Sequence, residues 1–208
     1  MSYKENQKDW YLSIPNFLLK IKTMKRKTMT QKIRWGIVGI GGIAHNFANT
    51  LAILSDAELV AISSRTKESA EKFANEFNVP NRHVGVGAIA GEKDIDAVYI
   101  ATPHLNHKDE TISCLEGGKA VLCEKSFAMN TPEVIQMIDC AREKNLFLME
   151  AMWMYFFPAM VKVREIIASG AIGEVRLVQA KFCFKCTREV RNTDVLTWSL
   201  EGGEHYLM

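Results

Sequence analysis

A chain of 208 residues that is 48% hydrophobic and 24% charged carries enough apolar material for one good core and a second, partial domain. A net charge of +2 does not suit a nucleic-acid binder, and no run reaches the ~18 apolar residues of a membrane span. Cysteines 114, 123, 140, 183 and 186 make no disulfide framework, so reduced thiols and a cytoplasmic location are expected.

Residues 1–30 read as an N-terminal extension. Residues 1–32 hold eight Lys or Arg against two acids, which leaves the remainder net negative. Trp10, Tyr11, Ile14, Phe17 and Leu18 mix with lysines, and Pro15 interrupts them. The segment lacks the continuous apolar core and small-residue cleavage site of a secretory signal. A poorly ordered or loosely docked extension is expected, with a basic amphipathic helix on a membrane surface as the alternative.

From residue 33 short apolar runs alternate with helical stretches. The runs are IRWGIVGI (33–40), ELVAIS (58–63), DAVYIAT (96–102), KAVLCE (119–124) and LFLME (146–150). Their near-continuous hydrophobicity is that of strands covered on both faces. Helices are predicted over 43–54, 66–77, 106–117 and 131–144. Thr131-Pro132-Glu133 reads as an N-cap, an N1 proline and a first-turn acid. Asn106 can cap the preceding helix, which Gly117-Gly118 ends. The alternation predicts an α/β fold, a doubly wound parallel sheet spanning 31–153. Beyond it, residues 158–169 predict a helix and 174–186 one long strand, too little for an independent domain. Residues 154–208 therefore read as the incomplete start of a second, α+β domain.

The first strand runs into Gly39-Ile40-Gly41-Gly42-Ile43-Ala44, a match to G-x-G-x-x-G/A. The first glycine permits the turn, the second lets backbone approach a pyrophosphate, and the small third residue lets helix pack on strand. The helix N-terminus then offers N–H groups to the phosphates. The predicted strand before and helix after supply the context that makes dinucleotide binding specific. At the end of the second strand an NAD site usually places an acid on the ribose 2′-hydroxyl. Here Ser63-Ser64-Arg65-Thr66 offers hydroxyls and a guanidinium, which suit the 2′-phosphate of NADP better than NAD.

Ligands in open α/β sheets bind beyond the carboxyl ends of the strands. The glycine turn, Ser64-Arg65, Thr102-Pro103-His104 and Glu124-Lys125 all fall on that edge. An ammonium such as that of Lys125 can hold a reacting carbonyl or alcohol oxygen and stabilise charge developing on it. Glu124 suits positioning of ribose hydroxyls or of Lys125 better than acid–base work. His104 and His107 lack a third ligand for a metal, and no metal is expected. His107 reads equally as a cofactor-site neighbour or a first-turn helix residue. Trp153, Phe156 and Phe157 can roof a nicotinamide pocket or pack as aromatic core. Cys183-Phe-Lys-Cys186 lies in a strand-like run whose residues three apart face opposite ways, which argues against a metal or redox pair.

Together GIVGIGGIA, YIATPHLNH, GKAVLCEKS and LFLMEAMWMYFFPA resemble the Gfo/Idh/MocA oxidoreductases. The likeness is greatest to the branch of dihydrodiol dehydrogenases and NADP-dependent D-xylose dehydrogenases, and covers about residues 31–182. The resemblance implies a Rossmann domain followed by a substrate and dimerisation domain on a large sheet. It implies that Lys125 matches the catalytic lysine of an E-K-P motif, with Glu124 beside the cofactor ribose and Thr102, Pro103 and His107 around the nicotinamide. The activity implied is hydride transfer between NADP(H) and a secondary alcohol of a sugar or trans-dihydrodiol, by full-length homodimers. Three features depart from the pattern. Ser126 replaces the motif's proline, which is expected to loosen the loop while leaving the ammonium in reach. Tyr155 stands where this branch often has arginine. Family members also continue well past residue 208, and Glu201-Gly202-Gly203 matches only the start of their glycine-rich segment. A non-catalytic NADP(H)-binding remnant is the alternative expectation.

Overall fold

The computed structural model describes residues 32–181. The N-terminal extension, the Cys183–Cys186 pair and Glu201-Gly202-Gly203 lie outside the described residues. Six strands form one sheet in the order β3-β2-β1-β4-β5-β6, the order of a doubly wound dinucleotide fold. The chain divides inside β4 (Ala97–Ile100) into a unit ending at Val98 and a unit beginning at Tyr99.

In the first unit, β1 (Ile33–Val38) pairs in parallel with β2 (Ala57–Ser64), and β2 with β3 (Asn81–Val84). The glycine turn leads from β1 into α1 (Gly42–Ile53), whose buried Ala44, Ala48 and Leu51 recur at helical spacing. Thr66 caps α2 (Lys67–Phe77) by accepting the Ser69 N–H, and Asn78 ends it in the left-handed region at φ 55°. Ile37, Ile62, Phe73 and Ile89 are fully buried and centre this core. Gly36 is required for its closeness: a β-carbon there would lie 2.9 Å from Ile89 Cδ1.

Two elements of this unit, β3 and α3 (Val86–Ala90), are not legible in the sequence. Asn-Arg-His-Val is only four residues long and exposes Arg82 and Val84, so its strand character comes from the ladder to β2 rather than from an apolar run.

In the second unit, a 3-10 turn (His104–Asn106) leads into α4 (His107–Glu116). The Asn106 side chain makes no cap bond, because the 3-10 turn already carries the chain into the helix. Gly118, at φ 79°, lets the chain reverse into β5 (Ala120–Cys123). The cap of α5 (Thr131–Glu143) falls one residue earlier than expected: Asn130 Oδ1 accepts the Glu133 N–H at 3.0 Å, and Glu133 Oε2 accepts the Met129 N–H at 3.1 Å. β6 (Leu148–Glu150) pairs in parallel with β5, setting Glu150 opposite Cys123.

After a second 3-10 turn (Trp153–Phe156), α6 (Pro158–Ala168) buries none of its side chains among the described residues. The strand expected over 174–186 is not formed across residues 174–181, which are exposed and join no ladder; the rest lies outside the described residues. A strand needs a partner for its backbone groups, and alternating apolar residues alone do not supply one. No helix among the described residues is long and apolar enough to cross a membrane.

Candidate active site

The glycine turn of the first unit has the geometry that its residue types foretell. Gly39 takes φ 98°, a region that L-residues rarely enter, and its N–H is held by the Ser63 carbonyl at 2.9 Å. Gly41 sits at the N-cap of α1 without a side-chain cap, and no acid occupies the first turn. A β-carbon on Gly41 or Gly42 would meet nothing within 4 Å, so the backbone there is open to close approach. Ile43 is exposed, whereas Ala44 is fully buried against the strand side, as the small third residue of the pattern should be. Uncapped N–H groups at a helix start, positive dipole end and open backbone together fit a pyrophosphate. His45 reaches back so that its Nδ1 lies 3.0 Å from the Gly41 carbonyl, and its ring meets Phe73 edge-on at 4.7 Å.

At the end of β2 the two serines do local work. Ser63 Oγ donates to the Gly85 carbonyl at 2.8 Å. Ser64 Oγ donates to the Thr66 carbonyl at 2.6 Å and is within 3.3 Å of the Thr66 N–H, so its hydroxyl shapes the turn. Arg65 projects from that turn, exposed and with no ion pair among the described residues. No carboxylate ends β2, whose last residues are Ser63 and Ser64.

The second unit assembles a denser polar group. Glu124, 9% exposed, accepts the Tyr99 hydroxyl on Oε1 at 2.5 Å and the Lys125 N–H on Oε2 at 3.1 Å. Burial, then the bond to Glu124, pushes the Tyr99 hydroxyl well above its ordinary pKa, so it stays a donor. Lys125 itself is exposed, while its backbone is fixed. The Lys125–Ser126 peptide bond is cis. Against the expected loosening at Ser126 stand two anchors: the Phe127 N–H donates to Glu150 Oε1 at 3.0 Å, and the Ser126 carbonyl lies 2.8 Å from His107 Nδ1.

Thr102 and Pro103 follow β4, and Thr102 Oγ1 bonds Glu110 of α4. Burial raises the pKa of Glu110, with the Thr102 bond opposing it and Asp109 adding to it. Burial likewise raises Glu150, its bond from Phe127 opposing. His104 is held below the usual imidazole range by burial, with His107 and Lys125 contributing. Burial pushes the Cys123 thiol up to about 12, which keeps it protonated and unreactive. Among the described residues no group of three or more His, Cys, Asp or Glu is placed to hold a metal.

Trp153, Phe156 and Phe157 are not core among the described residues, being 59%, 58% and 42% exposed. Trp153 meets Phe157 edge-on at 5.1 Å, and the Arg164 guanidinium lies 3.8 Å over the Tyr155 ring. Three residues that sequence reasoning passed over belong to this polar group: Tyr99, Glu110 and Glu150. Tyr99 is a hydroxyl inside a fully buried strand, and Glu150 ends an apolar run as Glu124 does; these were the available signals.

Residues 33–152 match the family model described as "Oxidoreductase family, NAD-binding Rossmann fold" (GFO_IDH_MocA). The chain is 42% identical over 173 residues to trans-1,2-dihydrobenzene-1,2-diol dehydrogenase of Mus musculus, covering 82% of this chain and 51% of that protein. It is 39% identical over 152 residues to the enzyme of the same name from Homo sapiens, covering 72% of this chain and 46% of that protein. The chain thus spans about half the length of the curated relatives it matches. Among solved structures, a 3-ketoreductase from Actinomadura kijaniata in complex with NADP superposes with a TM-score of 0.64 at 31% identity, covering 70% of this chain and 47% of that one. A matched family model over more than half of the residues, on a fold of this strand order, makes the chain a member of the Gfo/Idh/MocA oxidoreductase family.

Proposed function

We propose that this chain acts as an NADP-dependent dehydrogenase that moves hydride between NADP(H) and a secondary alcohol of a sugar or a trans-dihydrodiol. The observation that carries the proposal is Lys125: an exposed ammonium on a backbone held by a buried carboxylate, two residues beyond a strand of the sheet. NADP(H), when bound, supplies the hydride acceptor or donor. Lys125 holds the substrate oxygen and stabilises negative charge on it, or helps take the alcohol proton in the oxidising direction. Glu124 positions Lys125 through the backbone bond and does no acid–base work, because both carboxylate oxygens are already engaged.

Gly39, Gly41, Gly42, Ile43 and Ala44 form the pyrophosphate turn in this reading. Arg65, with the turn built by Ser64, takes the 2′-phosphate, which favours NADP over NAD. Thr102, Pro103, His104 and Trp153 belong to the nicotinamide end. The NADP named with the Actinomadura 3-ketoreductase supports the cofactor choice, and the dihydrodiol dehydrogenase relatives support the substrate class. Buried, protonated Cys114 and Cys123 accord with a reducing, cytoplasmic setting.

The test is titration of NADPH and NADH by fluorescence, followed by turnover assays with a panel of aldoses and trans-diols. NADPH binding with turnover that Lys125→Ala abolishes is expected. Binding with no turnover sensitive to Lys125 would reduce the chain to a nucleotide-binding protein, and absence of binding would remove the proposal altogether.

A further inference from the structure

The ring of His107 is 1% exposed, at the first position of α4. Its Nδ1 lies 2.8 Å from the Ser126 carbonyl oxygen and its Nε2 lies 2.9 Å from the Thr102 carbonyl oxygen. Both partners are acceptors only. A neutral imidazole has one N–H and one lone pair, so it satisfies one carbonyl and turns its lone pair on the other; the doubly protonated ring donates to both. The ring is 1% exposed, so bulk water does not stand in for a missing donor, and only a ring that donates from both nitrogens satisfies both carbonyls.

The two carbonyls belong to the segments that matter for the chemistry. Thr102 follows β4, and Ser126 follows Lys125 across a peptide bond. Resting on the reading of Lys125 as the group that holds the substrate oxygen, we propose that His107 is a positioning residue: a two-donor brace that ties the Thr102 loop to the Lys125-Ser126 turn. His107 then touches neither cofactor nor substrate through its ring nitrogens, since both are spent on backbone.

The surrounding charges accommodate such a brace. Glu150 of β6 has its carboxylate form favoured by His107, and Glu110 lies one turn along α4. Glu124 follows β5, and Lys125 is the cationic neighbour, while His104 is held below the usual imidazole range. A charge-assisted bond to a carbonyl is stronger than a neutral one. Neither a lone first-turn helix role nor a cofactor ligand explains two carbonyls at bonding distance from opposite sides of one ring.

The test reads the ring directly and needs no turnover. In the 15N-labelled full chain at neutral pH, with His107 resonances assigned by their loss in His107→Gln, both ring nitrogens should carry protons. A single protonated nitrogen, the pattern of a neutral tautomer, overturns the brace. Hydrogen exchange then reads the consequence: in His107→Gln, the Lys125 and Phe127 amides should exchange about tenfold faster while those of α5 keep their rate. Unchanged exchange at Lys125 and Phe127 also overturns it. Should His107→Gln fail to fold, the nitrogen shifts of the wild-type ring still decide, assigned through their contacts to Ser126 and Thr102. A wild-type chain that binds NADPH but turns nothing over defeats the dehydrogenase reading, and leaves these two measurements standing.

Discussion

Glu124 binds Tyr99 with one carboxylate oxygen and the backbone N–H of Lys125 with the other, at 2.5 Å and 3.1 Å. A buried carboxylate can follow a buried strand because each of its two oxygens has a donor aimed at it. The same bonds set the direction in which the next side chain, the lysine, leaves the sheet.

Tyr99→Phe removes the donor and leaves a buried carboxylate oxygen without its partner. A loss of about 1–3 kcal/mol of stability is expected, measured by urea denaturation. Glu124→Gln, which can accept the Lys125 N–H with its carbonyl and donate its amide to the Tyr99 oxygen, should cost less. Equal stability of Tyr99→Phe and wild type would show that water replaces the phenol.

Lys125 should be dispensable for folding. Its side chain is exposed and makes no ion pair among the described residues, so Lys125→Ala should fall within about 0.5 kcal/mol of wild type in the same denaturation experiment. NADPH affinity should change less than turnover, since the proposed contact is to the reacting oxygen.

The two glycines of the turn should respond oppositely. Gly39→Ala forces a β-carbon into φ 98° and should cost about 1–2 kcal/mol of stability. Gly41→Ser places a good N-cap where a β-carbon has open space, so stability should hold or rise. NADPH affinity should nevertheless fall for Gly41→Ser, because the side chain occupies the approach to the helix N–H groups. Calorimetric binding and thermal melting of the same samples separate the two effects.

Arg65→Ala tests the cofactor choice. Loss of a charge-assisted contact worth about 1.5–3 kcal/mol should weaken NADPH binding roughly 10–100-fold. NADH binding, which offers no 2′-phosphate, should be unaffected, and equal losses for both cofactors would assign Arg65 elsewhere.

Glu110 gives a pH signature. Burial raises its pKa in the folded chain above the unfolded value, so the native state holds the proton more firmly than the unfolded one. Stability from this group is therefore full below the ordinary carboxyl pKa and is lost as pH rises through the raised value. Glu110→Gln keeps an acceptor for Thr102 and removes the titration, so it should be more stable than wild type at pH 7. That advantage should vanish below about pH 4, where both forms are neutral. Stability curves across this range for the two proteins check the sign.

Much of this molecule is written locally. The alternation of apolar runs and helical stretches, with Gly39-Ile40-Gly41 after the first run, was enough for a doubly wound sheet and a dinucleotide turn. Both follow from side-chain periodicity and from glycine's lack of a β-carbon, which neighbours along the chain suffice to express. The Glu124-Lys125 pair at the end of an apolar run was equally visible. Tertiary structure decided the remainder. β3 exists because β2 offers its backbone to Asn81–Val84, and no strand forms over 174–181, where nothing among the described residues offers the same. Ser64 reads in sequence as a phosphate ligand, yet folding commits its hydroxyl to Thr66. His107 and Ser126 are nineteen residues apart, and His107 faces two carbonyls only once the ends of β4 and β5 are side by side. Residue types announce which chemistry is possible, whereas the partner that claims each donor and acceptor is chosen by long-range packing, because buried polar atoms must find partners wherever the fold places them.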